Sequence, residues 1–150
     1  MAADNFRNLT VYKKAFALAM EIFQITKTFP KEEKYSLTDQ IRRSSRSVCS
    51  CVGEAYRKRQ YEAFFVSKSS DGDGENTETR VWLDFSKACN YITTAIWKDL
   101  ELKAEEVGKL LNHMIENPKM YQRNIKVQKQ AKKKVSPRDA DQMISTAKST

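Results

Sequence analysis

The residues best suited to chemistry lie in the stretch SKSSDGDGENTETRVW, Ser67 to Trp82, where Asp71, Asp73, Glu75 and Glu78 place four carboxylates within eight positions. Oxygen ligands at alternate positions suit a hard divalent cation, but a calcium loop of the EF-hand kind also needs a glycine at its sixth position and a bidentate Glu at its twelfth. Counted from Asp71, those two positions hold Asn76 and Trp82. The most demanding requirements fail, so no metal is predicted.

The remaining reactive side chains do not assemble into a catalytic set. Cys49 and Cys51, two residues apart on a helix, point about 200° away from each other, and His113 is the only histidine that could complete a chelate. With Cys89 the cysteines number three. They cannot all pair, and in a reducing compartment they are expected to be free thiols. A glycine-rich phosphate loop, a nucleophile elbow and the Glu-x-x-His pairs of di-metal bundles are all missing. The expectation is no catalytic residue and no cofactor, and a metal-dependent enzyme built on the acidic cluster ranks third, behind a binding module and a purely structural assembly protein.

Arginine is the second candidate chemistry. Arg42, Arg43, Arg46, Arg57, Lys58 and Arg59 crowd one short segment in which Glu54 is the acidic residue. Arg42, Arg46 and Arg57, with Gly53, fall on the face opposite the apolar stripe, where guanidinium forks suit phosphate. The bland alternatives are a solvated face, or arginines already engaged by the acidic stretch. From Lys119 to the end the chain carries nine Lys and Arg against Asp139 and Asp141, whereas residues 1–118 carry 18 basic against 17 acidic residues. The net charge of +8 therefore resides mostly in the C-terminal segment. Its Lys126, Lys129, Lys132, Lys133 and Lys134 make a long-range field that draws nucleic acid foremost, and acidic proteins or membranes less specifically. Tyr121 is its only aromatic, so base stacking there is not indicated.

The elements that must position these groups are helical. In the first segment Val11, Ala15, Leu18, Ile22, Ile25 and Phe29 recur at steps of three and four, widened by Phe16, Ala19 and Phe23, until Pro30 ends the pattern. The second starts at SLTD, where Ser36 and Asp39 fit a capping box, and its stripe of Leu37, Ile41, Ser44, Val48, Cys51 and Ala55 is mostly small. The third spans about Gln60 to Tyr91 and the fourth about Thr94 to Asn117, with Ile96, Leu100, Ala104, Val107, Leu111 and Met114 as its stripe. Short connections between long helices predict an all-α, up-down-up-down antiparallel four-helix bundle over residues 1–118. Residues 119–150 hold too little apolar surface to offset their ordering entropy and read as a disordered basic tail, with a helical extension to Lys134 as the alternative.

The acidic stretch fits inside the third helix. Phe64, Asp71, Glu75, Glu78, Trp82, Phe85 and Cys89 fall within about 60° of one direction at 3.6 residues per turn, which predicts one long helix whose inward face turns acidic midway. Gly72 and Gly74 weaken it by about 1 kcal/mol each relative to Ala. If helices two and three fold back at Lys58 to Gln60, Glu75 is level with Arg43, and Asp71 with Arg46 and Ser47. The expectation is a polar layer of Arg43, Arg46, Asp71, Glu75 and Glu78, within a subunit or between subunits.

Two motifs, FRNLTVYKKA (Phe6 to Ala15) and FPKEEKYSLTDQIRRSS (Phe29 to Ser45), resemble the four-helix-bundle family encoded in intervening sequences of bacterial 23S ribosomal RNA genes, which includes the accessory variability determinant of diversity-generating retroelements. The resemblance runs from about Phe6 to Asn117 and continues through Ser47, Val48, Gly53 or Glu54, Gly74, Glu78, WLDF and CNYI. DGDGEN stands where DADAEN is common, which places Gly72 and Gly74 at small-residue helix positions. Cys49 and Cys51 replace the family's usual proline and asparagine, and the basic tail lies beyond its ordinary end. The resemblance implies a non-enzymatic homopentamer. Its retroelement branch implies nucleic acid and a reverse transcriptase as partners, a ribosomal component being the other expectation, while the role of the intervening-sequence branch is not established.

Two functional expectations follow: a pentameric bundle that engages RNA or a ribonucleoprotein through the helix-two arginines and the tail, or a purely structural assembly protein whose arginines serve subunit contacts. The start MAADNFRNLT lacks the apolar core of a signal peptide and no stretch has about 18 uncharged apolar residues, so a cytoplasmic location without membrane contact is expected.

Overall fold

Apolar and small residues spaced three and four apart commit the chain to four helices, which the computed structural model describes together with their connections over residues 5–122. Helix α1 is Thr10–Thr26, α2 Leu37–Arg57, α3 Glu62–Ala88 and α4 Thr94–Glu116. Residues 118–122 are helical too, and among the described residues there is no strand. Cross-helix pairs fix the directions. Arg43 meets Glu78 while Glu54 meets Lys68, so α2 and α3 are antiparallel. Trp97 meets Asp84 while Asn76 meets Ala104, and Lys14 meets Glu106 while Glu21 meets Lys103, so α4 runs against both α3 and α1. The ring of neighbours closes as an up-down-up-down bundle. Among the described residues no helix is long and apolar enough to cross a membrane. The expectations for residues 123–150, including the tail lysines, lie outside the described residues.

The start of α2 differs from the expected capping box. Ser36 makes no capping bond with its side chain. Instead Glu33, on a 3-10 turn spanning Lys31–Glu33, accepts from the backbone N–H of Leu37 at 3.1 Å and from the Ser36 hydroxyl at 3.0 Å. A carboxylate reaching forward from the preceding turn is the stronger acceptor at a helix N-terminus, so the serine is recruited to it. At the other end of the pair, α3 closes through Asn90 at φ 60°, with Tyr91 N–H donating to the Ser86 carbonyl and Asn90 N–H to that of Lys87, the Schellman arrangement.

Burial corrects the orientation of α3. Its buried residues are Phe65, Ser69, Gly72, Asn76, Thr79, Leu83 and Ser86, the stripe one position, or about 100°, on from the expected one. Phe64, Phe85 and Asp71 are exposed. The inward face is therefore neutral rather than acidic, with small or polar residues between Phe65 and Leu83. The physical reason is close approach: a methyl added at Gly72 would stand 3.2 Å from Cys51 Cβ and 3.4 Å from Leu111 Cδ2, leaving no room for large side chains at that crossing.

As a result the core has two apolar ends and a polar waist. Val52, Phe65, Val107, Leu111 and Met114 anchor one end, and Ile22, Ile41, Leu83 and Leu100 the other. Between them Thr79 donates to Ser44 at 2.9 Å and Asn76 donates to the Ala104 carbonyl at 2.9 Å, which satisfies buried groups that would otherwise cost stability. The bundle also continues past Pro118, because Tyr121 packs on Phe65 with ring centroids 5.2 Å apart and Gln122 is buried.

Candidate nucleic-acid interface

The basic residues of α2 separate into three environments. Arg43 lies on the seam with α3, where it donates to Glu78 at 2.5 Å and to Glu75 at 3.5 Å. Its guanidinium pKa is raised, foremost by the hydrogen bond to Glu78. Glu78 responds in the opposite sense: burial pushes its carboxyl up, but donors from Arg43 and Trp82 outweigh this and hold it below the ordinary range. These three residues are half-exposed, so they form a surface seam and not an interior layer.

The expected pairing of Asp71 with Arg46 does not occur. Asp71 faces Lys68 at 3.9 Å, and Lys68 is held more closely by Glu54 at 2.9 Å. The one-position rotation of α3 accounts for this, since it swings Asp71 outward.

Arg42 and Arg46 instead turn toward α1. The guanidinium of Arg42 lies 4.8 Å from the centroid of the Phe23 ring, and that of Arg46 lies 5.6 Å from it. Arg42 Nε donates to Thr26 Oγ1 at 2.8 Å, and that hydroxyl donates to the Ile22 carbonyl at 2.8 Å. Among the described residues neither arginine has a carboxylate partner. They are held in place by a ring face and a hydroxyl, and their charge is left uncompensated.

Both arginines line a groove of about 560 Å3 with Lys34, Tyr35, Thr38, Asp39 and Arg43. Tyr35 is 84% exposed, and Lys34 Nζ sits 5.3 Å from its ring centroid. Arg42 and Arg46, one turn apart, are separated by about 6 Å along the axis. The site thus offers spaced cations beside an exposed aromatic, with Asp39 as the opposing charge.

The third environment lies at the far end of α2. Arg57 and Lys58 border a second groove of about 610 Å3 with Phe6, Tyr12, Gly53 and Phe64, and Lys58 Nζ lies 4.8 Å from the Phe64 ring centroid. Arg59 does not belong to an open basic face: it is buried, its guanidinium lies 4.0 Å from the Tyr56 ring centroid, and it donates to the Tyr56 carbonyl at 2.9 Å. Placed after the helix end, it folds back over α2.

Sequence reasoning missed Phe23, Lys34 and Tyr35. Phe23 read as a wider apolar stripe, yet Arg42 and Arg46 at i, i+4 beside an aromatic helix was the available signal. Tyr35, in the turn before α2, carried no periodic signal at all.

Charge is also divided across the bundle. Between Thr10 and Arg59 eleven Lys and Arg stand against five Asp and Glu, whereas between Glu62 and Glu116 six stand against eleven. The α1–α2 side is basic and the α3–α4 side acidic. Cys49, Cys51 and Cys89 are free thiols, and burial pushes the Cys49 thiol up to about 11. His113 Nδ1 lies 3.1 Å from the Tyr121 hydroxyl. Among the described residues no group of His, Cys, Asp and Glu is arranged to hold a metal ion.

Fold and site together define a small four-helix bundle whose α1–α2 side is basic. The chain belongs to the 23S rRNA-intervening sequence protein family, which it matches over residues 7–113. It is similar to the crystal structure of a protein of unknown function from the S23 ribosomal protein family of Bacteroides thetaiotaomicron, with 27% identity, a TM-score of 0.64, and coverage of 71% of this chain and 95% of that one. No curated protein matches the chain.

Proposed function

We propose that the protein is a non-enzymatic, self-associating helical bundle that binds RNA, or another nucleic acid, along the Arg42–Arg46 groove of α2. The carrying observation is that Arg42 and Arg46 are oriented by Phe23 and Thr26 without being neutralised, which is what a phosphate site requires before its ligand arrives. Lys126, Lys129, Lys132, Lys133 and Lys134 add a sequence-independent field to the same reading. A ribosomal component or a reverse transcriptase complex is the ribonucleoprotein setting that the family resemblance favours.

Self-association, in five copies by that resemblance, is supported by the basic and acidic sides of the bundle. Two different complementary faces favour a head-to-tail ring over a two-fold pair. A second reading, assembly without nucleic acid, gains from the Arg43 seam only in that one arginine of α2 is already engaged by Glu75 and Glu78 and so withdrawn from phosphate.

RNA binding measured against salt separates the two. In the full chain, Arg42→Ala with Arg46→Ala should lower the log-log salt slope by about 1.4, at about 0.7 per phosphate contact on a single strand, and changing the five tail lysines to Gln should lower it further. Unchanged slopes for both variants would leave assembly alone as the function. Light scattering tests the oligomer, and a stable monomer at working concentration refutes it.

A further inference from the structure

We propose that the α2 groove takes single-stranded in preference to duplex nucleic acid, with Tyr35 as a base-stacking platform and Arg42 and Arg46 as the phosphate contacts beside it. This rests on the nucleic-acid reading of the same groove and narrows its ligand.

The argument begins with the ring. Tyr35 is 84% exposed although an aromatic side chain ordinarily buries large area, and among the described residues it is the one aromatic lining a groove whose other walls are charged or hydroxyl-bearing, the three arginines among them. Lys34 lies toward one face of the ring at 5.3 Å. At 84% exposure the ring keeps most of its area available to an unstacked base. A duplex hides its base faces inside the stack and presents phosphate alone, so it would use the arginines and leave the ring unused.

The arginines fit the same ligand. With its Nε spent on Thr26 and one face on Phe23, Arg42 has its two terminal amines left as a fork for a single phosphate. Arg46, one turn further along, serves the next. From the turn before α2 into the helix the order is therefore aromatic, cation, cation, the combination of stacking platform and basic groove by which single strands are held without sequence readout.

The tail cannot imitate this preference. Its lysines act through charge, and a duplex carries the denser charge, so a field alone would favour the duplex. A single-strand preference that Tyr35→Ala removes therefore comes from this groove and not from the tail.

The test uses the full chain and fluorescence anisotropy on a labelled RNA of about a dozen nucleotides, alone and annealed to its complement. The expected result is tighter binding of the single strand, weakened roughly 5- to 150-fold by Tyr35→Ala, the range that loss of one base stack gives, with Tyr35→Phe close to the parent and the duplex unaffected by either change. Equal binding of both RNAs, or a Tyr35→Ala loss equal on both, overturns the stacking assignment and leaves the basic groove intact. No binding to either RNA overturns the groove's nucleic-acid reading and this inference with it. Tyr35 is exposed, and the helical circular dichroism of each variant verifies that folding is retained.

Discussion

Replacing Gly74 by Ala adds one methyl to α3 at a point where nothing lies within 4 Å of the new carbon. The change removes a helix-interior glycine without a packing penalty, so it should stabilise the bundle by about 1 kcal/mol. For a domain of this size that is roughly 3 to 6 °C in Tm. Gly72, two positions away, has the same helical context and the opposite surroundings. Its added methyl would meet Cys51 Cβ at 3.2 Å and Leu111 Cδ2 at 3.4 Å, contacts that overpack the crossing of α2, α3 and α4. Overpacking costs about 1–3 kcal/mol, which cancels or exceeds the propensity gain. The expected net change for Gly72→Ala lies between about zero and a loss of about 2 kcal/mol. Urea unfolding followed at 222 nm, with both variants at the same protein concentration, measures the difference. Equal gains for both would refute the close approach of α2 to α3, and a loss at Gly74 would mean that another chain covers that face.

Other perturbations report on other parts of the fold. Arg80→Ala strips Glu101 of the guanidinium that meets its Oε1 at 2.6 Å, while Oε2 is buried without a partner. A loss of about 1–3 kcal/mol is expected, and adding Glu101→Leu should recover part of it; no recovery would show that the carboxylate is not the source. Iodoacetamide at neutral pH should label exposed Cys89 well before Cys49, whose burial holds it as a thiol with a pKa near 11. Peptide mass mapping that found Cys49 modified first would contradict that burial. The Glu78 carboxyl is held below its ordinary value near 4.5, so its contribution to stability is present above that value and disappears as pH falls through the lower, folded-state value. Glu78→Gln should therefore flatten the acid side of the stability profile, and a profile parallel to the parent's would remove Arg43–Glu78 as a contributor.

Some of this was legible from residues alone. The α2 stripe of Leu37, Ile41, Ser44, Val48, Cys51 and Ala55 is buried throughout, because small and apolar residues at helical spacing have few other uses. Counting back from the turn at Lys58 to Gln60 put Arg43 level with Glu75, since antiparallel helices joined by a short turn stay in step. The α3 face was misread because Phe64, Trp82 and Phe85 outweigh Ser69, Gly72 and Thr79 on any hydrophobicity count. What decides the face is how near α2 must come, and that depends on Cys51 and Ser44 on another helix. The folding back of Arg59 was invisible for the same reason, and the Phe23 platform left only the i, i+4 spacing of Arg42 and Arg46 as a trace, as each depends on a partner that only folding brings near.

The waist formed by Ser44, Thr79 and Asn76 has a consequence for alignment. Helices with smooth apolar seams can slide past each other by one turn, about 5.4 Å, and still bury similar area. Here such a slide would part the Thr79 hydroxyl from Ser44, leaving each its own helix carbonyl at Glu75 and Ile41, and would draw the Asn76 amide away from the Ala104 carbonyl, at about 1–3 kcal/mol for that stranded group. The three side chains act as a ratchet tooth between two oily cylinders: they add little cohesion, yet they leave the chain one way to line up, and with it one spacing of the cations along α2.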